Sequence, residues 1–340
     1  MRVVQLTCSD GFGGVEQYLL NLGRGLAERG IDVTIIGGAE HSMRAAAERY
    51  GAWLPGNTFA QAIAALRSLG HVDLLNTHMS QADLAGCVAR IQSRRLPQVS
   101  TRHFAARRGR NAATHAAFRV LVRGISAQIA ISQFVAANVD GHCHVVRSGV
   151  AVADVVGQQV REPVVLVAQR LEPEKDTMTA VRAWALSSAR NRGWKLQIAG
   201  AGSERERLES EVQTLGIQES VHFLGFRDDV AALLARSGAV FAPTPREGLG
   251  ILVLEAMAAG TPVVAAAGGG HLETVGPVTP ELLFDPGDAT AAARVLDALT
   301  TNAAARRAAG AVLKDAQRRS FTIAAQIEAT VAVYQGVLSS

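Results

Sequence analysis

Residues 243–270 run PTPREGLGILVLEAMAAGTPVVAAAGGG, and this stretch indicates the local fold most directly. Residues 251–259 are predicted to form a helix, because Leu, Glu, Ala and Met favour helices and Gly260 is a natural C-terminal stop. Thr261 and Pro262 then break the chain, and residues 263–265 have the apolar character of a buried strand. The stretch therefore predicts a loop, a helix and a strand of an α/β sheet.

Two carboxylates, Glu247 and Glu255, lie on either side of the start of this helix. Eight positions along a helix rise roughly 12 Å, whereas the carboxyls of a glycosidase acid/base pair stand about 5–9.5 Å apart. The spacing suits one long ligand held at both ends, with a negative middle at the helix start, where Gly248 and Gly250 leave the amides open. A nucleotide-sugar has that shape. A solvated loop Glu and an ordinary helix Glu are the alternative interpretation.

This stretch resembles the E-x7-E region of family 4 glycosyltransferases, since both Glu, the glycines and the trailing A-G-x-P-V-V match. The resemblance implies the GT-B fold, in which two Rossmann-like doubly wound parallel-sheet domains face an interdomain cleft. It also implies a retaining enzyme that moves a sugar from a nucleotide-sugar, most often a UDP-sugar, to an acceptor hydroxyl. Glu247 would bind sugar hydroxyls and Glu255 the ribose. The implied donor-binding positions at the helix start are Gly248, Leu249, Gly250 and Ile251.

The rest of the chain alternates strand and helix patterns, which favours doubly wound parallel sheets. A length of 340 residues suits two domains. We predict a first domain over residues 1–150, a linker over 151–162 and a donor-binding domain over 163–320. From the resemblance, a last helix within 321–340 is expected to return to the first domain.

The first half contributes a Gly-Gly turn and two histidines at predicted strand ends. Gly13 and Gly14 follow the first strand and match the G-G-x-E opening of the family, whose glycine backbone faces the donor phosphate and the acceptor. The resemblance therefore implies donor contacts at Gly13 and Gly14, and it places Glu16 on the acceptor side. His103 matches the family's T-x-H histidine, which lies beside the transferred sugar, and His78 matches an earlier strand-end histidine on the acceptor side. A strand-end histidine with only a structural hydrogen bond is the alternative.

In the second half, Arg170 and Lys175 match the family's R-L-x-P-E-K loop, with Gln169 where the family usually has Gly. A leaving diphosphate needs fixed positive charge, which Arg and Lys supply. Further donor contacts implied by the resemblance are the turn glycines Gly200 and Gly202 and the base-binding loop residues Phe226 and Arg227.

Positive charge is concentrated in residues 1–150, which contain 16 Arg, no Lys and 9 acidic residues, while the remainder has 18 basic and 21 acidic residues. Arg107 and Arg108 lie in the densest run and are assigned to the acceptor side, and Arg94, Arg95 and Arg110 are expected to contact the same anionic partner. Such charge fits an anionic acceptor or an anionic membrane surface, and it also fits an ordinary solvated face. Nucleic acid is disfavoured, because aromatic residues are not interleaved with the charge.

We expect no metal and no cofactor, because the sequence has no D-x-D pair and its three cysteines and scattered histidines lack ligand spacing. No apolar run reaches 18 residues and no signal peptide is evident, so we expect a cytoplasmic protein, with peripheral contact on the inner membrane face as one option. The acceptor would be a sugar, a lipid-linked or a small molecule. The alternatives are a nucleotide-sugar 2-epimerase of the same fold and a non-catalytic nucleotide-sugar-binding protein.

Overall fold

The computed structural model describes residues 1–92, 96–109, 111–152 and 161–339. The chain divides into two compact units, Met1–Gly149 with Ile323–Ser340, and Val150–Thr322. Most of the predicted linker, residues 153–160, lies outside the described residues.

The first unit is a seven-stranded parallel sheet with helices in the crossovers. Its strands are β1 (Arg2–Thr7), β2 (Asp32–Ile36), β3 (Ala52–Leu54), β4 (Leu74–His78), β5 (Gln98–Arg102), β6 (Ala127–Ala130) and β7 (His144–Val145). Its crossover helices are α1 (Gly14–Ala27), α2 (Glu40–Ala47), α3 (Phe59–Ser68), α4 (Ser80–Gln92), α5 (Ala112–Leu121) and α6 (Gln133–Asn138). The strand order is β3-β2-β1-β4-β5-β6-β7. The order reverses between β1 and β4, and at such a switch point the carboxyl ends of the strands form a ligand-binding crevice.

The register of the central strands places the carboxyl ends of β1, β4 and β5 side by side. Thr7 pairs with His78, and His78 pairs with Thr101. These strands are buried, and β1, β4 and β5 also bury polar side chains such as Gln5, Asn76 and Thr101.

The second unit repeats this arrangement with six parallel strands. These are β8 (Glu162–Ala168), β9 (Lys195–Ala199), β10 (Val221–Gly225), β11 (Ser237–Ala242), β12 (Val263–Ala266) and β13 (Leu283–Phe284). Its helices are α7 (Thr177–Leu186), α8 (Arg205–Thr214), α9 (Val230–Arg236), α10 (Ile251–Ala258), α11 (His271–Thr274), α12 (Ala289–Thr301) and α13 (Ala303–Ser320). The order β10-β9-β8-β11-β12-β13 puts its switch point between β8 and β11. The predicted helix and strand of residues 251–265 are confirmed as α10 and β12.

The last helix, α14 (Ile323–Leu338), belongs to the first unit and packs against α1. A Cβ atom at Gly25 would stand 1.8 Å from Cδ1 of Ile327, so a larger residue at this position would displace the Ile327 side chain. Tyr334 is fully buried there. Among the described residues, the helices are too short or too polar to cross a bilayer.

Candidate functional site

The second unit brings two predicted site residues into direct contact at its switch point. Lys175 lies in the loop after β8 and Glu247 in the loop after β11, and Nζ of Lys175 donates to Oε2 of Glu247 at 2.7 Å. Each side chain keeps about a fifth of its surface exposed, at 21% and 23%. The pair is therefore formed in a half-buried position that remains open to a ligand.

Glu247 is held as a carboxylate by its neighbours. Burial alone would raise the pKa of Glu247, but the charge and hydrogen bond of Lys175, the proximity of His271 and the Gly248 N–H together bring that pKa below its ordinary value. The Gly248 N–H donates to Oε1 at 3.0 Å. Both carboxylate oxygens are thus oriented by donors before any ligand arrives.

Gln169 braces the loop that carries Lys175. Its Nε2 donates to the Lys175 carbonyl and to Oγ1 of Thr177, both at 2.9 Å, and its Oε1 accepts from Oγ1 of Thr244 at 3.1 Å. Gln169 therefore ties the loop after β8 to the end of β11. From the sequence, Gln169 was only a departure from the family's Gly; its position directly after a strand was the available signal.

The glycines at 268–270 lie beneath the loop that carries Glu247. A Cβ at Gly269 would stand 2.2 Å from the Glu247 carbonyl oxygen, and Gly269 has a φ of +58°. The Gly270 N–H donates to that same carbonyl oxygen at 2.8 Å. These glycines let two backbone segments pack directly together, which fixes the height of Glu247 above the sheet.

Gly200 and Gly202 are glycines for a similar steric reason. A Cβ at Gly200 would stand 1.9 Å from the Gln169 carbonyl oxygen, and one at Gly202 would stand 2.3 Å from that of Leu171. The turn after β9 is therefore pressed against the loop after β8, so these two predicted donor-binding glycines shape the loop that presents Lys175.

The start of α10 places Glu255 in the second turn of a helix whose N-cap, Gly250, has a φ of +93°. The Glu255 carboxyl has no hydrogen-bonding or ionic partner within the described part of the chain, and burial raises its pKa to about 7. Leu249 is buried, with 1% exposure, so this position offers a ligand its backbone rather than its side chain. Ile251 is the first residue of the helix.

Three other predicted donor-side residues are exposed. Arg170 is exposed and donates to Glu174 at 2.7 Å. Arg227 makes two hydrogen bonds to Asp229, at 2.8 and 2.6 Å. The Phe226 ring is 80% exposed, as expected of a side chain whose apolar face awaits a partner.

In the first unit, Glu16 shapes the loop after β1. Its Oε1 accepts from Oγ of Ser9 at 2.6 Å and its Oε2 from the Gly13 N–H at 2.9 Å. A Cβ at Gly14 would meet nothing within 4 Å, so the turn faces open space at Gly14, whereas a Cβ at Gly13 would lie 3.6 Å from Oε2 of Glu16. Glu16 therefore supports the open turn through the loop's own donors.

The two histidines contact each other at the carboxyl ends of β4 and β5. Nδ1 of His78 lies 2.9 Å from Nε2 of His103. Burial and then neighbouring charge lower both pKa values, that of His103 to about 3 beside Arg102, so both rings are neutral at pH 7. His78 is 0% exposed. This corrects the expectation that His78 faces the acceptor: it stands behind His103.

The predicted basic surface is also corrected. Arg107 is exposed, but Arg108 is 1% exposed and donates to Asp83 at 2.6 Å, Asp140 at 2.5 Å and Ser100 at 2.8 Å. A buried guanidinium needs such partners, so Arg108 holds elements of the first unit together instead of facing an acceptor. Three arginines of the same expectation, Arg94, Arg95 and Arg110, lie outside the described residues.

Within the described ranges, no group of three or more His, Cys, Asp or Glu side chains is placed to hold a metal ion.

Comparison with known proteins gives two adjacent family matches, to the glycosyl transferases group 1 over residues 151–312 and to glycosyltransferase family 4 over residues 12–153. The chain is 34% identical over 177 residues to the 2-deoxystreptamine N-acetyl-D-glucosaminyltransferase of Streptomyces fradiae, which is 51% of this chain and 39% of that protein. It is 35% identical over 136 residues to the 2-deoxystreptamine glucosyltransferase of Streptomyces kanamyceticus, which is 39% of this chain and 35% of that protein. The matched region thus spans well under half of these curated relatives.

Solved structures resemble the chain over its whole length. HepE from Anabaena, solved in complex with UDP, has a TM-score of 0.82 at 20% identity and covers 99% of this chain and 100% of its own. Sucrose-phosphate synthase from Thermosynechococcus elongatus has a TM-score of 0.81 at 20% identity, with 99% coverage of both chains. Together with the two parallel sheets, these likenesses confirm the predicted GT-B fold class.

Proposed function

The chain belongs to the family 4 type of GT-B glycosyltransferases, and we propose that it transfers a sugar from a UDP-sugar to an acceptor hydroxyl with retention of anomeric configuration. The observation that carries the proposal is the 2.7 Å pair of Lys175 and Glu247 at the switch point of the second unit. Ligands of open α/β sheets bind at such a point.

Lys175 would stabilise the diphosphate as it leaves. An ammonium has three N–H donors, and the contact with Glu247 uses one of them. The other donors can face phosphate oxygens as negative charge develops there. A preorganised donor aimed at developing charge lowers the barrier most, because it needs no rearrangement during the reaction. Arg170, released from Glu174, would add a second cation.

Glu247 would hold the sugar. Its two oxygens accept from Lys175 and from the Gly248 N–H, and each carboxylate oxygen has a further acceptor direction for a sugar hydroxyl. One residue would thus link the sugar to the cation at its leaving group.

Glu255 would bind the nucleotide ribose. Its carboxyl is half-buried, has no partner within the described chain and has a raised pKa. Burying a carboxylate without hydrogen-bond donors costs free energy, and a ligand that supplies donors would remove that cost. Two vicinal ribose hydroxyls are such donors. UDP is the proposed nucleotide, because the fold neighbour HepE is solved with UDP and with UDP-glucose.

For the chemical step, we assign a same-face attack. The acceptor oxygen bonds to the anomeric carbon, the bond from that carbon to the diphosphate oxygen breaks, and the acceptor proton passes to the departing diphosphate. In our proposal the negative charge on the departing diphosphate is stabilised by Lys175, Arg170 and the amides at the start of α10, without a divalent metal. The acceptor is assigned to the first unit, where Gly13, Gly14 and His103 stand at the edge of the sheet.

A donor and acceptor screen tests the proposal. Nucleotide-sugars are ranked by the thermal shift they cause, and products with sugar, lipid-linked and aminocyclitol acceptors are identified by mass spectrometry, with anomeric configuration from NMR. A UDP-sugar and an acceptor should together give an α-linked product from an α-linked donor. Epimerised donor without acceptor would replace the proposal with a 2-epimerase, and binding without turnover would replace it with a binding protein.

A further inference from the structure

A chain of buried polar side chains runs behind His103 and ends on the C-terminal helix. Nε2 of His78 lies 2.8 Å from Oε1 of Gln5, and the other side of Gln5, Nε2, donates to the Tyr334 hydroxyl at 3.0 Å. Asn76 joins the chain by donating from Nδ2 to Oε1 of Gln5 at 3.0 Å and to the Tyr334 hydroxyl at 2.7 Å. Tyr334, Gln5, Asn76, His78 and His103, called the relay below, all belong to the first unit.

The structure gives the relay one consistent set of donors and acceptors. Oδ1 of Asn76 accepts from the Thr101 hydroxyl at 3.0 Å, and Nδ2 of Asn76 faces Gln5. Reversing the Gln5 amide alone would set two NH₂ groups against each other, whereas reversing both amides together would give the opposite arrangement, with the His103 proton on Nδ1. In the arrangement of the structure, Oε1 of Gln5 is the atom that meets His78, and an oxygen there can only accept. Nε2 of His78 must then carry the proton.

The same logic passes along the two imidazoles. A neutral histidine has one N–H and one lone pair, and both rings are neutral because burial lowers their pKa values. With its proton on Nε2, His78 turns the lone pair of Nδ1 towards Nε2 of His103, 2.9 Å away. Nε2 of His103 must donate, which leaves the lone pair of its own ring on Nδ1.

We propose that Gln5 is a positioning residue that holds His103 as its Nε2–H tautomer, so that Nδ1 of His103 presents a lone pair that accepts a hydrogen bond from a substrate hydroxyl. The part that concerns substrate rests on the proposed function, whereas the tautomer is a property of the free protein. His103 is thereby an acceptor for a hydroxyl and not a donor to one.

Tyr18 and Tyr334 hold the two ends of this arrangement. The Tyr18 ring packs edge-on against the His103 ring, with centroids 4.8 Å apart and an interplanar angle of 87°. The centroid of the Tyr18 ring also lies 5.8 Å from that of the His78 ring. Tyr334 receives two N–H donors from β-strand side chains. Because Tyr334 lies on α14, this helix takes part in setting which ring nitrogen of His103, in the loop after β5, carries the proton.

The tautomer is measured directly on the full chain labelled with ¹⁵N-histidine. Long-range ¹H–¹⁵N correlation spectra distinguish the protonated from the unprotonated ring nitrogen, and a His103→Asn sample assigns the His103 signals. Wild type should show protonated Nε2 in both His78 and His103. Gln5→Met removes the acceptor, and Tyr334→Phe removes the hydroxyl that orients Gln5 and Asn76. Both should mix the two tautomers, whereas Tyr18→Phe, which deletes a buried hydroxyl not bonded to Gln5 or Asn76, should leave them unchanged.

Kinetics gives the second readout. Tyr334→Phe should lower kcat roughly 2- to 12-fold, the range for one neutral hydrogen bond, with the KM for donor unchanged. A His103 proton on Nδ1 in wild type, or an unchanged tautomer in both Gln5→Met and Tyr334→Phe, would overturn the proposal. If the tautomers are as stated but no donor is turned over, the relay stands and the proposed function fails.

Discussion

Replacing Lys175 with Ala tests the leaving-group role and the ion pair together. The substitution removes the donor that lies 2.7 Å from Glu247. The loop should keep its conformation, because Gln169 donates to the backbone carbonyl of Lys175 and not to its side chain. The loss of one preorganised donor at a developing charge corresponds to about 10²–10³ in kcat, or about 2.7–4 kcal/mol. We expect a loss of this size in Lys175→Ala.

The same variant has a stability effect that can be separated from the kinetic one. A hydrogen bond to a charged group contributes about 1.5–3 kcal/mol, and the pair is only partly exposed, so urea unfolding should show a loss in that range. Because the folded pKa of Glu247 is depressed, the contribution is present above the unfolded pKa and disappears as pH falls through the folded pKa. In Lys175→Ala, burial without the cation should raise the pKa of Glu247, so this loss of stability at low pH should disappear or reverse in sign.

Lys195→Ala is the matched control, because Lys195 lies in the same unit and, within the described ranges, its side chain donates to the Glu219 carbonyl at 3.0 Å and to no carboxylate. Initial rates at saturating donor and acceptor give kcat, and circular dichroism in urea gives the free energy of unfolding. A Lys175→Ala enzyme whose kcat stays within about threefold of wild type would refute the leaving-group role. A double-mutant cycle with Glu247→Ala whose coupling energy is near zero would refute the pair.

The remaining predictions concern the nucleotide, the metal and the loop glycines. UDP affinity, measured by calorimetry, should be full above about pH 7 and weaken as the pH falls below it, because Glu255 has a pKa of about 7 and must be ionised to accept from the ribose hydroxyls. Glu255→Gln should lose this pH dependence. Equal UDP affinity in both proteins at pH 8 would count against ribose binding. Transfer should persist in excess EDTA, and activity that is abolished by EDTA and restored by magnesium or manganese would contradict the metal-free proposal. Gly269→Ala should destabilise the protein by about 1–3 kcal/mol in urea unfolding, because the new Cβ would stand 2.2 Å from the Glu247 carbonyl oxygen at a φ of +58°. Gly287→Ala is the control and should cost less, because Gly287 has a φ of +80° but open space around it.

The sequence predicted best where a local rule was sufficient. The helix after Gly250 and the strand after Pro262 follow from propensity and breakers, and they appear within a residue of the expected ends. The three-residue strand β3 was not assigned, because a short strand has no period to detect. The helices α2, α3 and α5 were not assigned either.

Contacts between distant residues were beyond local rules. The resemblance pointed to Lys175 and Glu247 separately, but their contact joins residues 72 apart in sequence and depends on the strand order at the switch point. Gln5 is one polar residue within a strand pattern, and nothing nearby in sequence marks it as a partner of His78, 73 residues away. Arg108 was misjudged because a charge run gives no information about which of its members is buried against Asp83 and Asp140.

The position of α14 in the first unit also affects the order in which the protein is assembled during synthesis. The packing around Gly25 is completed only when Ile327 has been translated. The side-chain amides of Gln5 and Asn76 gain their shared acceptor only when Tyr334 has been translated. The second unit is complete once Thr322 has been made, so the half of the protein that is translated later can finish folding earlier. While the ribosome is still translating the second unit, the seven-stranded sheet has an uncovered apolar surface and unsatisfied polar groups where α14 will lie, and such a surface is what chaperones bind.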